Sequence, residues 1–160
     1  MTVKLTENQA KDIATQRQVI EFLTVANEFC RFVESASKSK TDVFIETILR
    51  LLSLMYLKGS LLPKFIPNDD TANERFVSEE QWEDTFLTLK DLFADEDAFD
   101  KEANIGETEP GHELSLVKGS LSEHIADIWQ DIKDFVLLFN KTNTAAKENA
   151  VWACYLLFRE

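Results

Sequence analysis

Hydrophobic positions recur along this chain with a period near that of an α-helix, and strand-like alternation competes only in the short Leu62-Pro63-Lys64-Phe65-Ile66 stretch. Val19, Phe22, Leu23, Ala26, Phe29, Cys30 and Val33 follow spacings of 3, 1, 3, 3, 1 and 3, which is one face of a helix within Gln16–Ser37. Thr6-Glu7-Asn8-Gln9 has capping-box form and offers an earlier start. A second helix is expected from about Thr41 to Lys58, opened by Ser39 with Asp42 and closed by Gly59. Its stripe of Phe44, Ile45, Ile48, Leu51, Leu52, Met55 and Tyr56 is widened almost all round by Leu49, Leu54 and Leu57, the pattern of a central helix. Ser78 with Gln81 opens a third helix, Glu79–Phe93, that turns Trp82, Phe86, Leu89 and Phe93 inward. Ser120 with Glu123 caps a fourth, running to about Lys141, with Leu121, Ile125, Ile128, Trp129, Ile132, Phe135, Val136 and Phe139 on its buried face. Thr142-Asn143-Thr144 turns into a fifth. The second and fourth helices are expected to form the centre, with Leu52, Met55, Ile128, Trp129 and Ile132 largely buried.

The helix breakers cluster. Glycine stands only at 59, 106, 111 and 119, and proline only at 63, 67 and 110. Residues 94–119 are acidic and lack periodicity, so they are expected to form a long surface loop. The fold class that follows is all-α: a single-domain antiparallel bundle of five main helices with a long acidic loop, spanning residues 1–160. The most apolar segment, Val43–Leu62, is interrupted by Glu46, Arg50 and Lys58 and reads as a buried helix rather than a membrane span. The amino-terminal residues lack the pattern of a signal peptide. In the last helix Val151, Cys154, Leu157 and Phe158 keep apolar spacing until Arg159-Glu160. The expectation is a folding unit incomplete at Glu160, or a neighbouring subunit over Phe158, against the alternative of a frayed last turn with Phe158 tucked onto the second helix.

Composition then narrows the function. The 160 residues carry 17 Lys+Arg against 29 Asp+Glu, a net charge of −12. That balance argues against nucleic acid and anionic membranes as partners, since both need a basic face. It favours a basic protein partner, whose approach it would speed. Two cysteines, Cys30 and Cys154, make no disulfide framework, and the expected location is the cytoplasm.

Carboxylates provide the candidate chemistry. Glu123, Asp127, Asp131 and Asp134 stand at spacings of 4, 4 and 3 on one face of the fourth helix, where they either make a solvated polar face or hold a hard divalent cation. Glu79-Glu80-Gln81-Trp82-Glu83 is literally EExxE, which resembles the magnesium site of all-α nucleotide pyrophosphohydrolases. The second acidic pair of that site has only a faint echo in Asp97-Ala98-Phe99-Asp100. A calcium loop counted from Asp95 fails, with Phe99 at position 5 and Gly106 at position 12. His112 falls in a Pro-Gly turn, and His124 lies beside the acidic row as a surface residue. No P-loop, GxSxG or HExxH is present. Catalytic residues are therefore not assignable, and neither a cofactor nor a metal is expected.

Leu51–Tyr56 with Leu62-Pro63, Val77-Ser78 with Trp82, and Ser120–Lys133, above all Ala126-Asp127-Ile128 and Asp131-Ile132-Lys133, together resemble a small acidic all-helical bacterial family, a domain of unknown function. That resemblance implies the helical fold and carries no catalytic residues. The resulting expectation is a cytoplasmic, non-enzymatic interaction or accessory module that works through an acidic surface. The alternative is a divalent-metal-dependent hydrolase of nucleotides or phosphate esters, using Mg or Mn on helical carboxylates.

Overall fold

A computed structural model describes residues 13–102 and 116–159. Five α-helices dominate it: α1 (Arg17–Glu34), α2 (Thr41–Ser60), α3 (Glu79–Phe93), α4 (Leu121–Phe139) and α5 (Thr144–Leu157). Short 3-10 turns follow α1 and α3, at Ala36–Lys38 and Ala94–Glu96. The class is all-α, as the periodicity implies.

Local chemistry explains most boundaries. The Ser78 hydroxyl accepts from the Gln81 amide while the Gln81 side chain accepts from the Ser78 amide, a complete capping box on α3. Ser120 accepts from the Glu123 amide at the start of α4, and Asn143 from the Ala145 amide at the start of α5. Helix α2 starts at Thr41 as expected, but neither of the signals expected to bound it acts as one. Lys40 is its N-cap and contributes no side-chain bond. Gly59 does not end it but lies buried inside it, because a Cβ there would meet the Phe158 ring at 2.5 Å. The glycine lets that ring lie against the α2 backbone.

The 94–119 segment is also corrected. Ala98–Glu102 (β1) and Leu116–Ser120 (β2) pair antiparallel, with Phe99 opposite Gly119 and Asp100 opposite Lys118. Arms of five residues are too short to register a period. The Asp100–Lys118 ion pair at 2.6 Å and the Phe99 ring over Gly119 mark the register. Gly106, Pro110 and His112 lie outside the described residues, as does the Thr6–Gln9 capping box.

Helix α4 packs against α1, α3 and α5 and forms the centre, as its broad apolar face implies. Phe22 meets Phe135 edge-on at 5.1 Å, while Phe44 stacks on Phe32 at 4.9 Å and meets Phe93 at 5.8 Å. Trp129, Ile132 and Met55 are buried, whereas Ile128 and Leu52 are only half-buried. Helix α2 is peripheral. It rests mainly on α1, buries Phe44, Ile48, Met55 and Gly59, and leaves Val43, Leu49, Leu54, Tyr56 and Leu57 exposed. Apolarity on every side of α2 thus reflects one face in the core and others at the surface. Phe158 takes the tucked position, 5.5 Å from Phe22 and 6.3 Å from Tyr56. Among the described residues no helix is long and apolar enough to cross a membrane.

Candidate functional site

The connection from Leu61 to Ser78 contains no helix and no extended strand, so its amides need partners outside a ladder. Leu62, Phe65 and Pro67 sink into the protein, and the rest forms a strap fastened by side chains of α4 and α5. The Asn68 amide donates to Glu148 Oε2 at 3.1 Å, and Asn149 Nδ2 donates to the Asp69 carbonyl at 2.6 Å. The Phe76 and Val77 amides both donate to Asp134 Oδ1, at 2.8 and 2.9 Å. Arg75 lies 3.5 Å from Asp131. Just beyond the strap, Trp82 Nε1 donates to Asp127 Oδ1 at 2.9 Å.

Three members of the acidic row therefore face the strap and α3. Glu123 is exposed in the first turn of α4, where its charge suits the helix dipole. Asp127 is exposed and Asp131 is partly covered, while Asp134 is only 8% exposed. The four carboxylates do share a helical face, but the strap converts its lower half into interior. Burial pushes the Asp131 carboxyl above its ordinary range; Arg75 opposes this, and Asp134 and Asp127 add to the rise. Oδ2 of Asp134 is buried and receives no hydrogen bond.

The other candidates are dispersed. Glu79, Glu80 and Glu83 are exposed at the start of α3. Asp97 belongs to the architecture: its Oδ1 accepts from the Ser122 amide at 2.7 Å and its Oδ2 from the Ser120 hydroxyl at 2.8 Å. Burial works against its charge, but bonds from Ser122 and Ser120, with Lys90 nearby, outweigh that and hold its carboxyl below the usual range. Asp100 is paired with Lys118. His124 is exposed, its ring 5.7 Å from that of Phe99. Burial raises the Cys30 thiol to about 12 and pushes Cys154 up as well, so both are poor nucleophiles. Among the described residues no three His, Cys, Asp or Glu side chains are grouped to hold a metal ion.

Two concave features converge on Asp131. One is a groove of about 400 Å³ between α2, α4 and the end of α5, in which Asp131 is the single charged lining residue among Leu52, Tyr56, Ile128, Phe158 and other apolar side chains. The second, of about 280 Å³, lies between strap residues 73–75, α4 and α5 and includes Asp131 and Asp134. Neither was visible in the periodicity, which assigned Leu52 and Ile128 to the core. Glu148 and Asn149, polar residues beside Ala150 and Val151, were the one hint that α5 holds a polar segment.

A family model described as Domain of unknown function (DUF5063) matches residues 13–160. The chain is similar to a crystal structure of protein BF1032 from Bacteroides fragilis, with 35% sequence identity and a TM-score of 0.78 over 92% of this chain and 84% of that one. No curated protein gives a significant match.

Proposed function

The chain belongs to the DUF5063 family, and on that premise we propose that it is a non-enzymatic interaction module whose α2–α4 groove takes an amphipathic helix of basic character from a partner protein. The groove itself carries the reading. Ile45, Leu49, Leu52 and Tyr56 stand at spacings of 4, 3 and 4 along α2 and continue its buried face outward; Leu49 and Tyr56 are 59% and 66% exposed. Large apolar side chains in a row beside an apolar groove are characteristic of interaction surfaces. Helices dock in such grooves through anchors at this spacing. Asp131 within the groove and the net charge of −12 favour a cationic flank on the incoming helix.

The test is selection of helical peptides from a displayed library, followed by mapping of binders on the ¹⁵N-labelled protein. Binders with Lys or Arg beside the apolar anchors, shifting Leu52, Ile128 and Leu157, are expected. Leu49→Glu, at an exposed position, should abolish binding without altering the fold. Binders that map elsewhere, or ignore Leu49→Glu, overturn the proposal. Self-association that Leu49→Glu abolishes would assign the groove to a second copy instead. The metal-dependent alternative is separated by melting in Mg²⁺, Mn²⁺ and Ca²⁺, since specific cation binding raises Tm. An unchanged Tm is expected.

A further inference from the structure

Most of the large apolar side chains that stand in solvent among the described residues, Val43, Leu49, Leu54, Tyr56, Leu57 and Leu61, belong to α2 or its C-terminal cap. They form two stripes. Leu49 and Tyr56 are on the groove side. Leu54 is five residues from Leu49, roughly 140° round the helix, and Val43, Leu57 and Leu61 lie within about 60° of Leu54. This outer stripe is 41–55% exposed. It also carries no free charge. From Leu51 to Leu61 the one charged residue is Lys58, which donates to Glu21 at 2.7 Å. One turn earlier, Arg50 is paired with Glu46. The hydroxyls between the leucines are turned back onto the helix, Ser53 donating to the Leu49 carbonyl and Ser60 to the Leu57 carbonyl, each at 2.8 Å. A chain of net charge −12 thus keeps about three turns of exposed helix free of unpaired charge.

That neutrality selects the occupant. A basic protein is drawn by carboxylates, and the one that serves α2 is Asp131, on the groove side. An anionic membrane or a nucleic acid needs free cations, and Arg50 and Lys58 are both engaged. In a two-fold pairing, side chains near the axis meet their own copies, so an unpaired charge there meets its like. A charge-free row of leucines meets that requirement. Two copies of so acidic a chain repel over most of their surfaces, and the outer stripe is where they can approach. We propose that this stripe pairs isologously with the same stripe of a second copy, the ridge of Leu54, Leu57 and Leu61 on each α2 packing against that of the other. A few side chains are far fewer than the roughly 20–30 residues a side of a standard interface, so the dimer is weak, with Kd on the order of 100 µM. The stripe lies off the groove, so this inference does not rest on what the groove takes.

Sedimentation equilibrium of the full chain from about 10 µM to about 1 mM tests it, with ¹⁵N chemical shifts followed on dilution. A reversible monomer–dimer equilibrium is expected, with concentration-dependent shifts at Leu54, Leu57 and Leu61. Salt should tighten it about threefold or more between about 50 and about 500 mM NaCl, because screening relieves the repulsion between two acidic copies. A basic partner would show the opposite sign. Leu54→Glu should leave a monomer at every concentration, and Leu49→Glu should change Kd by less than about twofold. If Leu54→Glu fails to fold by circular dichroism, Leu61→Glu at the helix cap gives the same readout. The proposal is overturned by a monomer at about 1 mM, by growth beyond the dimer, or by association that salt weakens. It is equally overturned by a dimer that survives both Leu54→Glu and Leu61→Glu, or by dilution shifts confined to Leu52, Ile128 and Leu157 with loss in Leu49→Glu, which would place the contact in the groove.

Discussion

Asp97→Ala is expected to destabilise the protein by about 3 kcal/mol, a value built from two bonds to a charged group of about 1.5–3 kcal/mol each, less what water recovers. The Asp97 carboxylate receives the Ser122 amide at 2.7 Å and the Ser120 hydroxyl at 2.8 Å, and its carbonyl receives the Leu121 amide at 2.9 Å. One residue after α3 and the following turn thus fixes the start of α4. Ser122 is fully buried, so its amide would have no ready water to replace the lost acceptor. Asp97→Asn keeps an acceptor and loses the charge, and should cost about 1 kcal/mol. The pH dependence follows from the lowered native carboxyl. Its contribution is complete above the unfolded value, about 3.9, and is lost as pH falls through the lower folded value. Urea unfolding of the wild type and both variants, from about pH 7 down to about pH 3, measures this. The gap between wild type and Asp97→Asn should narrow in the acid range. A gap that is constant across the series, or an Ala cost below about 0.5 kcal/mol, would refute the reasoning.

Three further outcomes are expected. Gly59→Ala should cost about 1–3 kcal/mol because its methyl meets the Phe158 ring, and in a Phe158→Ala background the cost should vanish or reverse, read as a double-mutant cycle by chemical denaturation. Ala94 has φ 47°, a backbone region that favours glycine, so Ala94→Gly should stabilise by about 1 kcal/mol, seen as a raised Tm. Ile132→Ala, at a site 2% exposed on α4, should cost about 2–5 kcal/mol in urea; a loss under about 1 kcal/mol would mean that the site collapses around the missing atoms.

Helix existence was legible along the chain because amphipathic period and caps are local. Ser78 with Gln81, Ser120 with Glu123 and Asn143 place three helix starts within hydrogen-bonding distance of their own sequence neighbours. The same locality explains where sequence reading stopped. Whether the apolar surround of α2 meant a central helix or an edge helix with a groove depended on which neighbours reached it, and the Phe158 ring, just past α5, is laid against Gly59. Ser39 and Gly59 looked like helix ends because those residue types usually are, yet a glycine can also be required by a ring from a distant part of the chain. The acidic row on α4 was visible as a row, but solvent exposure is not a property of one helix. The strap, 57 and 58 residues away in sequence at its two bonds to Asp134, covers one end of the row and leaves Glu123 in water. Periodicity determined which residues share a face; only the tertiary structure decided what that face meets, because burial and charge pairing are set by chain segments that no local pattern encodes.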